Sequence, residues 1–192
     1  MTQLNVKVRK LTPAATLPTY ATEGAAGFDL YAAADVIIAP GETALVPLGL
    51  TFEIPAGFEM QLRPRSGVTR DTKLRVANSP GTIDEDYRGE VSVIVDNIAA
   101  VSEYRTINYE LLDETKQPTE LRTRYGYGDQ EYREYDKIPY HSYIIRTGDR
   151  IAQGVIAPVT RVSFTETDEK LTQTTRGDGG FGHSGVRAEV SE

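Results

Sequence analysis

The feature that most narrows the fold is a series of short apolar segments cut by turn residues. Val36-Ile37-Ile38, Thr43 to Pro47, Leu50 to Ile54 and Phe58 to Leu62 are divided by Pro40-Gly41, Gly49 and Pro55-Ala56-Gly57. Segments this short suit strands, and strands with such punctuation point to a sandwich or barrel. Leu4, Val6 and Val8 alternate with Asn5, Lys7 and Arg9, the period-two pattern of a half-buried strand. The rhythm continues at Val91 to Val95, at Tyr143 to Arg146 and from Arg150 to Pro158. No long 3.6-residue pattern occurs, which argues against alternating strands and helices. Val68 to Thr72 is the best place for a short helix.

At 192 residues the chain can hold one domain, or a core domain carrying a sizeable insertion. A change in composition marks where that insertion sits. Residues 113 to 137 carry seven acidic and five basic side chains, and six of the eleven tyrosines fall between Tyr125 and Tyr143. Disordered segments are poor in aromatics, so an ordered surface insertion is expected over roughly 98–141. The core is then expected over 1–164 and a glycine-rich C-terminal segment over 165–192.

Charge and residue usage exclude several classes of function. A formal net charge of -7 argues against a nucleic-acid partner, which requires a clustered basic face. The absence of cysteine removes disulfides, thiolate metal sites and cysteine nucleophiles together. With only His141 and His183, a catalytic triad or a histidine-rich zinc site has little support. Basic residues near Met1 are followed by no apolar run, so neither a signal peptide nor a membrane anchor is expected there. The expectation is a cytoplasmic protein that binds no membrane.

Four stretches carry chemistry. Gly81 to Glu90 concentrates carboxylates at Asp84, Glu85, Asp86 and Glu90 around Tyr87 and Arg88. If it is extended, Asp84 and Asp86 face one way while Glu85 and Tyr87 face the other; a solvated turn leading into Val91 is the competing reading. A calcium loop fails, because Arg88 and Val95 would occupy positions that need oxygen donors. Gly177 to Gly182 spells G-x-G-x-x-G, but no helix follows and the chain ends ten residues later, so the match is accidental. Arg176, the consecutive glycines and Ser184 still offer a cation, amide N–H groups and a hydroxyl for an anion. Phe181 among glycines either closes over a flat ring or belongs to a tail with no core to join. Arg65-Ser66-Gly67 reads as a plain turn or as a phosphate cradle, and Gly27 beside Phe28-Asp29 suggests a backbone that approaches something closely.

Taken in order together with Gly148 to Gln153, these four stretches resemble the five motifs of the trimeric all-β dUTPases. They are Ala26 to Leu30, Pro64 to Gly67, Gly81 to Gly89, Gly148 to Gln153, and Arg176 through Gly185. The resemblance implies an all-β, dUTPase-like β-barrel of jelly-roll type with one short helix and a surface insertion. It also implies a homotrimer that hydrolyses dUTP to dUMP and pyrophosphate with Mg2+, by attack of water on the α-phosphorus. The reaction would belong to nucleotide metabolism, since it limits dUTP and supplies dUMP as a precursor of dTTP.

By the same resemblance, Asp84 activates the attacking water and Tyr87 packs beneath the deoxyribose. Asn78, Gly81 and Ile83 belong to the hairpin that reads uracil. Arg65, Ser66 and Gly67 hold phosphate, and Arg176 holds the terminal phosphate. Phe181 stacks on uracil, with Gly182, His183 and Ser184 beside it in the C-terminal arm, which closes over a neighbouring subunit's site. Asp29 and Gln153 are metal residues acting through water, and Gln153 is counted with the substrate site as well. His183 departs from the small hydroxyl residue usual in the family, and a pH effect is expected from it. The insertion is the larger departure. It is similar to insertions in some phage-borne dUTPases, for which a regulatory role bound by a repressor protein has been proposed, so a protein partner through residues 98–141 is an alternative reading. A phage-encoded chain would then work in the host cytoplasm. The related dCTP deaminase activity is the less favoured enzymatic alternative.

Overall fold

The computed structural model describes residues 4–101, the backbone of 109–111, and residues 141–180. The chain divides into two units, Met1–Thr160 and Arg161–Glu192.

Among the described residues, the first unit holds twelve strands and one short helix. The strands are β1 (Lys7–Lys10), β2 (Thr19–Tyr20), β3 (Phe28–Tyr31), β4 (Val36–Ile38), β5 (Thr43–Glu53) and β6 (Phe58–Pro64). After α1 (Ser66–Asp71) come β7 (Leu74–Val76), β8 (Gly81–Ile83), β9 (Val91–Asn97), β10 (Tyr109–Leu111), β11 (Ser142–Ile145) and β12 (Arg150–Pro158). The all-β class and the single short helix agree with the sequence reading. The strands fall into three open sheets, ordered β1-β5-β9-β7, β10-β11-β4 and β2-β3-β12-β6-β8.

Sequence patterning explains the placement of the core. On β9, Val91, Val93, Val95 and Asn97 are buried while Ser92, Ile94 and Asp96 are only partly so. This alternation turns one face inward, against Val46, Leu48, Leu50, Leu30, Met60 and Ile145 in a single cluster. Each such Val or Leu contributes about 1.5–3 kcal/mol when fully buried. β11 is buried at all four positions, which explains its continuous apolar run.

Gly49, expected to end a strand, instead lies within β5. It sits at φ +64°, and an added Cβ would meet Thr12 Cγ2 at 2.5 Å and the Ala15 and Ala33 methyls at 2.8 and 2.9 Å. The register against β9 shifts between Pro47 and Leu50, so the glycine serves a bulge that bends one long strand. Both halves remain paired with β9, and the second half also pairs with β1.

The five-stranded sheet carries four of the residues singled out above, Asp29, Gly81, Ile83 and Gln153. Asp29 on β3 lies opposite Gln153 on β12, which lies opposite Arg63 on β6. β8 completes the sheet, with Gly81 opposite Leu62 and Ile83 opposite Met60. Among the described residues no helix is long and apolar enough to cross a membrane.

Within the second unit, residues 161–180 form neither strand nor helix. Val162, Phe164 and Leu171 are exposed there.

Candidate active site

Asp29 is the buried centre of one corner of the sheet. Its side chain is only 5 % exposed, and it faces Arg65 Nε at 3.2 Å through Oδ1 and an Arg150 terminal nitrogen at 3.4 Å through Oδ2. Arg65 also donates through Nη1 to the Arg150 carbonyl at 3.3 Å. A buried carboxylate needs such partners, because burial of an isolated charge is strongly unfavourable. Arg65 is the residue just before α1, so Ser66 and Gly67 open the helix and are exposed to solvent. The corner thus combines cations with exposed backbone and a hydroxyl, a set suited to phosphate oxygens.

Gln153 shares the face of Asp29, as cross-strand partners do. An added Cβ on Gly27 would lie 3.4 Å from Gln153 Oε1, so the amide oxygen rests over the backbone of the first motif. Among the described residues no group of three or more metal-ligating side chains occurs. Asp29 and Gln153 therefore offer two neighbouring oxygen donors rather than a cage. That donor set fits magnesium, which keeps several waters and takes direct ligands from substrate phosphates.

The expected hairpin is corrected: β7 pairs with β9 and β8 with β6, in different sheets, and the segment joining them holds Asn78, followed by Ser79 and a cis peptide to Pro80. Its side-chain amide lies over Gly81, where an added Cβ would meet Asn78 Nδ2 at 3.2 Å and Oδ1 at 3.3 Å. Asn78 and Gly81 are thus brought together, with Ile83 two residues along the same strand.

The extended reading of the acidic stretch is corrected. β8 ends at Ile83, and a turn follows in which Tyr87 N–H donates to the Asp84 carbonyl at 3.2 Å. Two of its carboxylates anchor the loop. Glu85 accepts from the Gly57 N–H, and Glu90 accepts from the Gly49 N–H at 3.0 Å. Thr51 adds a bond from its hydroxyl to the Arg88 carbonyl at 2.8 Å. Asp84 and Asp86 remain exposed. Tyr87 therefore owes its position to the turn and not to a strand face: its hydroxyl donates to the Glu90 carbonyl at 2.9 Å, and its ring covers Gly89.

Asp84 and Arg65 lie apart along the five-stranded sheet. Ile83 is level with Met60, so Asp84 comes level with Glu59, six residues along β6 from Arg65. At ~3.3 Å per residue this separates the two by about 20 Å along the strand. In the second unit, Arg176 Nε donates to the Gly179 carbonyl at 2.9 Å, and the Gly177 N–H bonds the Thr174 hydroxyl at 3.1 Å. Phe181, Gly182, His183 and Ser184 lie outside the described residues, as does most of the insertion.

Sequence reasoning gave no role to two residues. Arg150 joins Asp29, a contact that its place in the fourth motif does not reveal. Asp35 staples the turn of that motif, accepting from Thr147 N–H at 2.8 Å, the Thr147 hydroxyl at 3.0 Å and Arg146 at 2.8 Å. The Thr147 N–H, then the Arg146 bond, hold its carboxyl below the usual aspartate value. Asp35 gave no local signal, since its partners lie more than 110 residues away.

Comparison with known proteins extends this picture. The dUTPase family model matches residues 14–106 and 141–185, on either side of most of the expected insertion. A deoxyuridine 5'-triphosphate nucleotidohydrolase from Helicobacter hepaticus is 40% identical over 186 residues, covering 97% of this chain and 92% of the relative. The Staphylococcus bacteriophage 80alpha dUTPase with dUpNHpp is 28% identical with a TM-score of 0.82, covering 96% of this chain and all of the phage chain; such phage dUTPases are described as controlling transfer of virulence genes. A mutant dUTPase of S. aureus phage phi11, described for its coordination of a structural Mg(II) ion, is 26% identical with a TM-score of 0.72, covering 88% of this chain and all of that one.

Proposed function

This chain belongs to the dUTPase family and hydrolyses dUTP, and we propose that it does so at a site shared between subunits of a homotrimer. The observation that carries this reading is the separation of Asp84 from Arg65 along one sheet. A general base must lie within hydrogen-bond reach of the water it activates, directly or through one water. A gap of about 20 Å along the strand exceeds that reach for a phosphate held at Arg65, which supports a base supplied by Asp84 of a neighbour.

In this arrangement Arg65, Ser66 and Gly67 hold the phosphates of dUTP, and Asp84 of another subunit accepts the proton of the water that attacks the α-phosphorus. Pyrophosphate leaves and dUMP remains. Asn78, with the backbone of Gly81 and Ile83, reads the uracil edge, and Tyr87 packs against the deoxyribose where a 2'-hydroxyl would need space. Residues 165–192 form the arm, in which Arg176 meets the terminal phosphate, Phe181 stacks on uracil, and Gly182, His183 and Ser184 complete the contact. Asp29 and Gln153 orient Mg2+ through its waters. When bound with the triphosphate, Mg2+ neutralises charge on the phosphate oxygens. The work is placed in the cytoplasm, that of a host if the chain is phage-encoded.

The test is pyrophosphate release from dUTP, dTTP, dCTP and UTP with Mg2+, using the intact protein beside Asp84→Asn. Selective hydrolysis of dUTP is expected, with loss of about 10²- to 10⁴-fold in the variant. An equally active variant would remove Asp84 from the role of base. Mixing Asp84→Asn with an Arg65→Gln variant tests sharing: the mixed oligomers should regain sites that combine intact Asp84 and Arg65. No recovery would place each site within one chain.

A second role is supported by the phage relative described as controlling gene transfer, and by the position of the insertion between the two matched segments. We assign a protein partner to residues 98–141. Replacing residues 102–140 by a short Gly-Ser turn should abolish partner binding and leave dUTP hydrolysis in place. Loss of hydrolysis would make the insertion part of the enzyme's architecture.

A further inference from the structure

Strict alternation along β12 would put Arg150 on the wrong side of its sheet. Gln153 faces outward with Asp29, so Ala152 faces the core, Ile151 should face outward and Arg150 inward. The structure breaks this order. Ala152 pairs with Leu30 but Arg150 pairs with Tyr31, so two residues of β12 span a single step of β3. This irregularity lets both Ile151 and Ala152 enter the core, at 3 % and 0 % exposure, while Arg150 joins the face of Asp29 and Gln153. Bulges of this kind re-aim side chains beside functional sites.

What the bulge delivers is a double hold on Arg65. The Arg150 guanidinium takes Oδ2 of Asp29, leaving Oδ1 toward Arg65 Nε, while the Arg150 carbonyl takes Arg65 Nη1. Two N–H groups of Arg65, on Nε and Nη1, are thereby fixed by one residue and by a carboxylate that the same residue orients. A guanidinium is planar, so fixing two of its nitrogens sets the plane in which its remaining N–H groups lie.

We propose that Arg150 is a positioning residue for dUTP hydrolysis, holding Asp29 and Arg65 in the orientation that receives the triphosphate. The proposal rests on the reading of Arg65 as a phosphate-binding residue. Arg150 contributes through orientation of Arg65, and stabilisation of developing charge depends on donors that are already in place. Its removal is therefore expected to lower kcat more than it raises KM.

The test compares Arg150→Gln and Arg150→Lys with the intact protein, measuring kcat and KM for dUTP, urea unfolding midpoints and sedimentation. Arg150→Gln should lose about 10- to 100-fold in kcat, with a much smaller change in KM and an unchanged oligomer. Arg150→Lys should recover most of that loss, because Arg150 reaches Asp29 through one terminal nitrogen that an ammonium can replace. Unchanged kcat in Arg150→Gln would overturn the proposal. So would failure of both variants to fold, or a lysine variant no better than glutamine, since these would assign Arg150 to stability or to a role that charge at Asp29 does not explain. Arg65→Gln is measured alongside. Full activity there would refute the phosphate reading of Arg65 itself, an outcome distinct from failure of the Arg150 assignment.

Discussion

The side-chain amide of Asn97 donates to the carbonyl of His141 at 2.8 Å, joining the residue before the insertion to the residue at its end. The same nitrogen donates to the Ile38 carbonyl at 3.0 Å, and Asn97 Oδ1 accepts from Ala99 N–H at 3.0 Å. Chain departure and chain return are thus tied at one buried point, with Asn97 only 1 % exposed. The core can close around this clip whatever the length of chain between its ends.

Asn97→Ala should cost about 1–3 kcal/mol, because it leaves buried backbone groups without their partner. The urea midpoint is the measurement, and dUTP hydrolysis under native conditions should be little affected, since Asn97 belongs to β9 and not to the candidate site. An unchanged midpoint would show that water replaces the amide without cost.

Tyr87 and Gly89 make a second prediction. An added Cβ on Gly89 would fall on the Tyr87 phenol. Gly89→Ala should therefore push the ring from its place and weaken selection against a 2'-hydroxyl, lowering the ratio of kcat/KM for dUTP over UTP by on the order of tenfold. Tyr87→Phe loses only the bond to the Glu90 carbonyl and should move the ratio less. If Gly89→Ala leaves the ratio intact, the ring's contact with Gly89 does not serve sugar selection.

Acid stability gives a third. The bonds from Thr147 N–H and Arg146 depress the Asp35 carboxyl in the folded state, so its contribution is present above the ordinary aspartate pKa and is lost as pH falls through the depressed value. Asp35 is half exposed, and solvent screening keeps such a pair to about 0–1 kcal/mol. The difference in urea midpoint between the intact protein and Asp35→Asn should be full at neutral pH and should shrink below about pH 4. A difference that persists undiminished in acid would assign the effect to packing or to the Thr147 bond alone.

The sequence by itself determined the all-β class, because short apolar segments with period two and Gly-Pro punctuation leave no stripe on which helices could pack. It also determined the chemistry available, since motifs such as Pro64 to Gly67 and Gly148 to Gln153 are local and carry their residue types with them. Their roles were legible only through resemblance. Tertiary structure decided which of those residues meet. Glu85 and Glu90 look equivalent to Asp84 and Asp86 along the chain, yet distant N–H groups of Gly57 and Gly49 claim the first pair and leave the second exposed. Arg150 joins Asp29 because the core accepts both Ile151 and Ala152 and forces a bulge. The adjacent apolar pair between two polar residues was its one trace in the sequence. Gly49 bends a strand rather than ending it, because side chains from two other segments, Thr12 with Ala15 and Ala33, fill the space where a Cβ would lie. Periodicity is set by bonds between neighbours in the chain, whereas these outcomes depend on which distant groups compete for the same donor or the same volume.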